Sequence, residues 1–373
     1  MKTFYRVLII AIIGIAAGFM NGWLSFQGFW EHFSRGLSAS PWYLNIIYVF
    51  LAIFLVILVH ELGHLFSFIR HGIKIKAFYV LCFVFVKIDG RWKFKFFPRF
   101  FTLMGGLVAA DLPPVTSVEE ETKLVNILKK VLLAGPNMSI YYCIGLVTFY
   151  IIMLFTPLYI VTGILFYLGV STILLTLIVV KASKVSYQGL YGDYIAEKNI
   201  GSNERFTISY LISAMSYSTS QKASSEYLWH RTLVELDKGI RISNPHSISL
   251  ILHYIQQVVF EGEIGCVGIN DKLIKLIDRL PKTEDGFILY QFLIYLSYIE
   301  QGLDRALELL EKQKDLVFKV DDEVKQYWEV YTNHALKLVD GSSYLLNPKR
   351  QHSSTNAWIY EPFELPIELP IIK

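Results

Sequence analysis

Long runs of apolar residues without charges dominate the first half of the chain. Four runs are long enough, or nearly so, to cross about 30 Å of hydrocarbon as helices. They lie at residues 7–26, 43–59, 131–155 and 158–180. A fifth run, residues 100–110, is too short to span and contains Gly105-Gly106, so it predicts a re-entrant or interfacial segment.

The first run allows two interpretations. Lys2 and Arg6 before a short apolar core are typical of a secretory signal peptide as well as of a retained span. Uncharged sequence continues to Trp30 without a convincing small-residue cleavage site, which favours the retained span. Both interpretations place residues 31–41 in an external loop, so residues 1–42 form an N-terminal span with that loop.

Basic residues are distributed unevenly between the two sides of these runs. The loop between the first two runs carries one, Arg35, whereas eight follow the second run. They are Arg70, Lys74, Lys76, Lys87, Arg91, Lys93, Lys95 and Arg99. Because basic loops stay on the cytoplasmic side, this bias predicts a multi-pass cell-membrane protein with both termini in the cytoplasm.

The segment between the second and third runs changes period. Aromatic and β-branched residues flank Asp89-Gly90, and lysines alternate with apolar residues. This pattern predicts a β-hairpin at residues 73–97. Its lysine-rich faces suit anionic lipid headgroups, and its free edge suits pairing with an extended peptide.

Beyond residue 200 the sequence mixes charged and apolar residues at helical spacing, which predicts a cytoplasmic all-α domain over residues 200–346. Residues 287–313 predict two antiparallel helices joined at Gln301-Gly302, as in a tetratricopeptide hairpin. One such unit fits a plain helical bundle equally well. The domain carries no motif for chemistry, so we expect it to bind a cytoplasmic regulator or the substrate, or to mediate self-association. Residues 347–373, rich in proline, predict a poorly ordered tail.

Composition agrees with membrane insertion, since 53% of the 373 residues are hydrophobic and 18% are charged. A net charge of +3 is too small to indicate a nucleic-acid partner. The cysteines, Cys82, Cys143 and Cys266, are too far apart to predict a disulfide framework or a zinc knuckle. The abundance of Ile, Lys, Tyr and Phe indicates a bacterial source.

The sequence HELGH, residues 60–64, follows the second apolar run, where ionisable residues are costly. On a helix, His60 and His64 lie one turn apart and can direct ring nitrogens at one metal ion, with Glu61 beside them. Zinc suits two imidazoles and an oxygen ligand and leaves a position for water. Glu61 can accept the proton of that water, so the pattern predicts metal-assisted peptide hydrolysis.

The chain resembles the site-2 protease family of intramembrane zinc metalloproteases. The resemblance covers about residues 43–197 and depends on HELGH, on AGPNMS at residues 134–139, and on Asp193 in LYGDYIAEK. It implies an intramembrane metalloprotease core over residues 43–199 with one zinc ion, held by His60, His64 and Asp193. It also implies a β-element beside the HExxH helix that binds a membrane-inserted substrate.

Two departures from the family pattern leave alternatives open. Ser139 stands where the family usually has asparagine, although Asn137 lies nearby, so either residue is a candidate for polar support of the site. Asp193 is followed by tyrosine rather than glycine, and Asp111 in AADLPP is a rival third ligand. These departures also permit a non-catalytic membrane scaffold, such as an adaptor, chaperone or immunity protein.

Overall fold

The computed structural model describes residues 14–23, 25, 28–98, 105–187, 190–216, 218–258 and 263–346. Its helices are α1 (Phe29–Ala39), α2 (Trp42–Arg70), α3 (Val118–Met153), α4 (Tyr159–Ala182), α5 (Asp193–Asn199), α6 (Glu204–Met215), α7 (Gln221–Asp237), α8 (Pro245–Gln256), α9 (Val267–Ile274), α10 (Glu284–Gln301), α11 (Leu303–Lys314), α12 (Asp322–Ala335) and α13 (Ser342–Leu345). Its strands are β1 (Lys74–Val80), β2 (Phe83–Ile88), β3 (Arg91–Phe96), β4 (Gly106–Asp111), β5 (Ser186–Tyr187) and β6 (Leu190–Tyr191).

Helices α2, α3 and α4 are each long and apolar enough to cross a membrane, and they pack against one another. Many of their large apolar side chains are exposed, as lipid-facing residues are, for example Phe50, Ile144 and Leu177. Of the predicted first span, residues 14–23 are helical, and residues 1–13, 24, 26 and 27 lie outside the described part of the chain.

Two of these helices are longer than the apolar runs that predicted them. Helix α2 continues to Arg70 rather than ending near Val59, so HELGH lies within the helix and not at its end. Helix α3 begins at Val118, where the side chain of Ser117 accepts a hydrogen bond from the backbone N–H of Glu120. Polar residues extend both helices because end-capping and packing, rather than hydropathy, decide where a helix stops.

The predicted external loop at residues 31–41 is largely helical, forming α1. Helix α1 packs against α4 at a close glycine contact, where a Cβ on Gly163 would lie 2.3 Å from the carbonyl oxygen of Gly36. The contact keeps α1 folded against the apolar bundle.

The predicted hairpin is a pair of hairpins within a four-stranded antiparallel sheet of order β3-β2-β1-β4. The predicted Asp89-Gly90 turn is confirmed, with φ of 52° and 77° at the two residues. A second turn at Leu81-Cys82 divides what the sequence suggested was one strand, and Leu81 there has φ of 51°. The sequence does not indicate this turn, because it contains no glycine or asparagine and apolar residues continue on both sides of it.

The segment predicted as re-entrant forms strand β4 over Gly106–Asp111, and residues 99–104 lie outside the described chain. Strand β4 pairs with β1, with Val80 opposite Gly106 and Lys74 opposite Asp111. An apolar stretch too short to span satisfies its backbone polar groups by joining an existing sheet.

The C-terminal helices form two hydrophobic clusters. One cluster contains most of α8 to α13, and α10 and α11 make the predicted antiparallel hairpin with Gly302 between them at φ of 88°. The tetratricopeptide interpretation stays a prediction. The other cluster joins Leu211 of α6 and Leu228 of α7 to Leu124 and Leu128 of α3. A hydrophobic core therefore crosses the boundary predicted at residue 200.

Candidate metal centre

Helix α2 presents the HELGH side chains toward α3, because both helices carry small residues where they meet. A Cβ atom added to Gly63 would clash with the backbone of α3, since it would lie 2.5 Å from the carbonyl oxygen of Ala134. A Cβ on Gly135 would lie 2.2 Å from Nε2 of His64. Only glycine therefore allows this approach, and the AGPNMS stretch forms one wall of the site.

Helix α3 also orients both imidazole rings. Nδ1 of His64 lies 2.8 Å from the carbonyl oxygen of Val131, and because a carbonyl only accepts, this nitrogen carries the hydrogen. Nδ1 of His60 lies 3.2 Å from Oγ of Ser139, whose hydroxyl is within 3.3 Å of the Gly135 carbonyl oxygen and donates to it. Ser139 then accepts from His60, and each neutral ring turns an Nε2 lone pair into the site.

Asp193, the first residue of α5, completes the group. Its Oδ2 lies 3.1 Å from Nε2 of His60 and 3.7 Å from Nε2 of His64, and the two Nε2 atoms are 3.2 Å apart. Gly192 allows α5 to begin here, since a Cβ at that position would lie 2.3 Å from the Ala182 carbonyl oxygen at the end of α4.

These three ligand atoms fit a zinc ion. Tetrahedral zinc with bonds of about 2.0–2.1 Å separates its ligand atoms by roughly 3.3 Å, close to the three distances found here. Two facing Nε2 lone pairs beside a carboxylate repel one another unless a cation lies between them. Among the described residues, His60, His64 and Asp193 are the group whose ligand atoms all lie within 4.8 Å of one another.

Glu61 is buried beside this group, with 7% of its surface exposed. Strand β4 passes directly over it, because a Cβ on Gly106 would lie 2.3 Å from Cγ of Glu61 and 2.6 Å from the Tyr79 carbonyl oxygen. Glu61 lines a cavity of about 310 Å³ together with His60, His64 and Asp193. A carboxylate, three candidate ligand atoms and an open volume thus meet at one place, which is the arrangement that hydrolysis by activated water needs.

Helix α6 closes part of the same cavity with Tyr210, Ser213 and Ala214. Burial, with a smaller contribution from the charge of Asp193, raises the pKa of Tyr210 to about 12. Its hydroxyl therefore stays protonated at neutral pH and can donate a hydrogen bond. No motif in the sequence indicated these residues, because only the packing of α6 against α3 brings them to the site.

Two other predicted candidates lie apart from the ligand atoms. Oδ1 of Asp111 accepts from the backbone N–H and the hydroxyl of Thr219, at 2.8 and 2.9 Å, and lies 3.8 Å from Nζ of Lys76. Oδ1 of Asn137 accepts from the hydroxyl of Tyr194 at 3.2 Å. Asp111 is thus outside the group, and of the two polar candidates on α3, Ser139 contacts a predicted ligand.

The comparison with protein families agrees with this geometry. The model of peptidase family M50 matches residues 48–339. The chain belongs to peptidase family M50, the site-2 protease family. Members of M50 are membrane-bound zinc metalloproteases, and the match extends through α6 and most of the C-terminal helices. Neither the curated proteins nor the solved structures contain a significant match.

Proposed function

We propose that the protein is an intramembrane zinc metalloprotease that hydrolyses a peptide bond in a membrane-embedded or membrane-adjacent substrate near the cytoplasmic face. One observation carries the proposal, namely that His60, His64 and Asp193 bring their ligand atoms within 4.8 Å of one another beside buried Glu61. Membership of M50 supports the same chemistry. Basic residues after α2 support the cytoplasmic position of the site.

The residues of the site have different roles in hydrolysis. His60, His64 and Asp193 would hold the ion, which when bound supplies a Lewis acid that polarises the scissile carbonyl and makes water more acidic. Glu61 accepts the proton of the attacking water and delivers it to the leaving amine. Ser139 and the Val131 carbonyl keep the rings of His60 and His64 in the required tautomer.

The substrate binds as an extended strand. Strand β4 is an edge of the four-stranded sheet and passes beside Glu61, so a peptide that adds to it is held by backbone hydrogen bonds at the place of cleavage. The sequence alone suggested the hairpin edge, whereas the edge strand beside the site is β4. Because a helix has no backbone groups free to pair, a membrane-embedded substrate must unwind locally before it is cut.

The remaining partners follow from the surface. Lipid surrounds α2, α3 and α4, and the exposed Arg91 and Lys93 of β3 contact anionic headgroups. The C-terminal helices bind a cytoplasmic regulator. The non-catalytic scaffold is not favoured, since the ligand atoms and Glu61 that hydrolysis requires lie together.

The test compares membranes of cells that carry the wild-type protein with membranes of cells that carry Glu61→Gln. Quantitative proteomics should find a membrane protein or peptide precursor that accumulates in the Glu61→Gln cells, because the variant keeps the ligands and loses the proton acceptor. Purified wild-type protein and Glu61→Gln should each retain about one zinc per chain by elemental analysis.

The matched control is Glu119→Gln, an exposed carboxylate in the first turn of α3, 15 residues before the AGPNMS stretch that packs against HELGH. Its membrane proteome should equal that of the wild type. If Glu61→Gln cells also equal the wild type, or if the purified wild type binds no metal, the proteolytic function is wrong.

A further inference from the structure

Two cavities meet at the residues of the metal centre. The cavity of about 310 Å³ lies between α2, α3, β4 and α6, and a second cavity of about 280 Å³ lies between α2, the end of α4 and the start of α5. Both are lined by His60, Glu61, Gly106 and Asp193. The two volumes therefore adjoin at the group that would perform hydrolysis.

The walls of the two cavities differ. Apart from Glu61 and the three candidate ligands, the described lining of the first cavity is apolar except for Tyr210 and Ser213, and it includes Leu128, Val131 and Phe68. The second cavity is lined mainly by small residues, among them Gly105, Ala182, Ser183 and Gly192. The first cavity consequently suits a large apolar side chain.

An extended substrate connects the two cavities. Side chains of consecutive residues in a strand point to opposite faces and are about 3.4 Å apart along the chain. Because Glu61 lines both cavities, a strand whose scissile bond lies at Glu61 can direct one of the two flanking side chains toward each cavity. A substrate that binds along β4 thus presents two neighbouring residues to two different walls.

We propose that the first cavity is a specificity pocket for one bulky aliphatic or aromatic side chain next to the scissile bond, and that α6 of the C-terminal helices determines its size through Ala214. The inference rests on the proposed proteolytic function and adds the substrate class, namely peptides with a large apolar residue on one defined side of the cut. It also gives the C-terminal helices a direct part in substrate selection, because α6 supplies three lining residues.

Ala214→Leu tests the size of the pocket, because it adds three carbons to the wall. Full-length wild-type protein and variants, purified in detergent with zinc, are incubated with a peptide mixture prepared from a digested membrane proteome. Mass spectrometry then gives the frequency of each amino acid at each position around the cut sites. The ratio of Phe to Ala at one position is compared between proteins, so the ratio does not depend on how much of a variant is folded.

Wild-type cut sites should be enriched in Leu, Ile, Met and Phe at one of the two positions that flank the bond. Ala214→Leu should lower the Phe-to-Ala ratio at that position by about 10-fold or more, as methylene-sized changes in apolar pockets do. Ala182→Leu, in the second cavity, should change the ratio at the opposite flanking position. Ala223→Leu, exposed near the start of α7, should change neither.

Binding gives a second measurement that does not depend on turnover. A fluorescent peptide with Phe at the selected position, and its Ala counterpart, are titrated with Glu61→Gln protein and with the Glu61→Gln, Ala214→Leu double variant. The double variant should lose the preference for Phe. An unchanged preference in both assays, or an equal loss for both peptides, would overturn the pocket assignment. Absence of any Glu61-dependent cleavage by the wild type would instead contradict the proteolytic function itself.

Discussion

A Cβ atom on Gly135 would lie 2.2 Å from Nε2 of His64, a ligand atom of the candidate metal centre. No side chain larger than hydrogen fits there unless α3 or the imidazole moves. We expect Gly135→Ala to abolish zinc retention, measured by elemental analysis of the purified protein. Gly145→Ala, in the same helix but with nothing within 4 Å of its added Cβ, should retain zinc as the wild type does. Equal zinc in both variants would contradict this packing.

Two aspartates, Asp193 and Asp111, are the candidates for the third zinc ligand. Oδ2 of Asp193 lies 3.1 Å from Nε2 of His60, whereas Oδ1 of Asp111 accepts a hydrogen bond from the backbone N–H of Thr219. Asp193→Asn should release zinc because it replaces a charged oxygen ligand with a neutral amide. Asp111→Asn should keep zinc, and the comparison is made by competition with a chromogenic chelator. If only the Asp111 variant lost zinc, Asp111 rather than Asp193 would be the third ligand.

The predictable part of the site was local in sequence. His60 and His64 could be paired because a spacing of four residues places both on one helix face regardless of the rest of the fold. Asp193 lies 129 residues after His64 and was reached only through resemblance to a family. Tyr210 and Ala214 carried no signal, because their position depends on how α6 packs against α3.

Elements of the fold, too, were predictable where their signal is local in the sequence. Uncharged runs predicted the positions of α2, α3 and α4, since lipid imposes a minimum apolar length on each span. Strand β4 was missed because an apolar edge strand lacks the alternation that identifies a half-exposed strand. The Leu81-Cys82 turn was missed because φ of 51° at a leucine has no residue-type signature.

Ser139 supports a predicted ligand, and Asn137 does not. Oγ of Ser139 is fully buried and accepts from Nδ1 of His60, so Ser139→Ala should lower zinc affinity by about 10–100-fold, as the loss of such supporting groups does. Asn137→Ala, which removes a bond to Tyr194, should leave zinc affinity nearly unchanged. Chelator competition measures both. A larger loss from Asn137→Ala would assign the supporting role to the amide.

Ser218, in the connection between α6 and α7, attaches the C-terminal helices to the end of β4. Its Oγ accepts from the backbone N–H of Leu112 at 2.7 Å and donates to the Ala110 carbonyl oxygen at 3.3 Å. Ser218→Ala leaves a buried N–H without its partner, which costs about 1–3 kcal/mol. Hydrogen exchange of the Leu112 amide should become faster, whereas Ser202→Ala, at an exposed serine, should not alter it. Unchanged exchange in Ser218→Ala would contradict the attachment.

His253 of α8 makes the stability of the C-terminal helices depend on pH. Burial lowers its pKa from 6.5 to about 4, and its Nε2 has no hydrogen-bond partner among the described residues. Between these values the unfolded chain binds a proton that the folded chain does not, so stability is complete above pH 6.5 and is lost as pH falls toward 4. The full loss of unfolding free energy is about 3 kcal/mol.

Urea unfolding of the full-length protein at pH 7.5 and pH 4.5, followed by hydrogen exchange in α8, should reveal this difference in stability. His253→Phe should reduce the difference, since phenylalanine does not titrate, and burial of His246 in the same helix, which also lowers the pKa of that residue, accounts for a remainder. His230→Phe, at an exposed histidine in α7, should preserve the full difference. An undiminished pH dependence in His253→Phe would place the titrating group elsewhere.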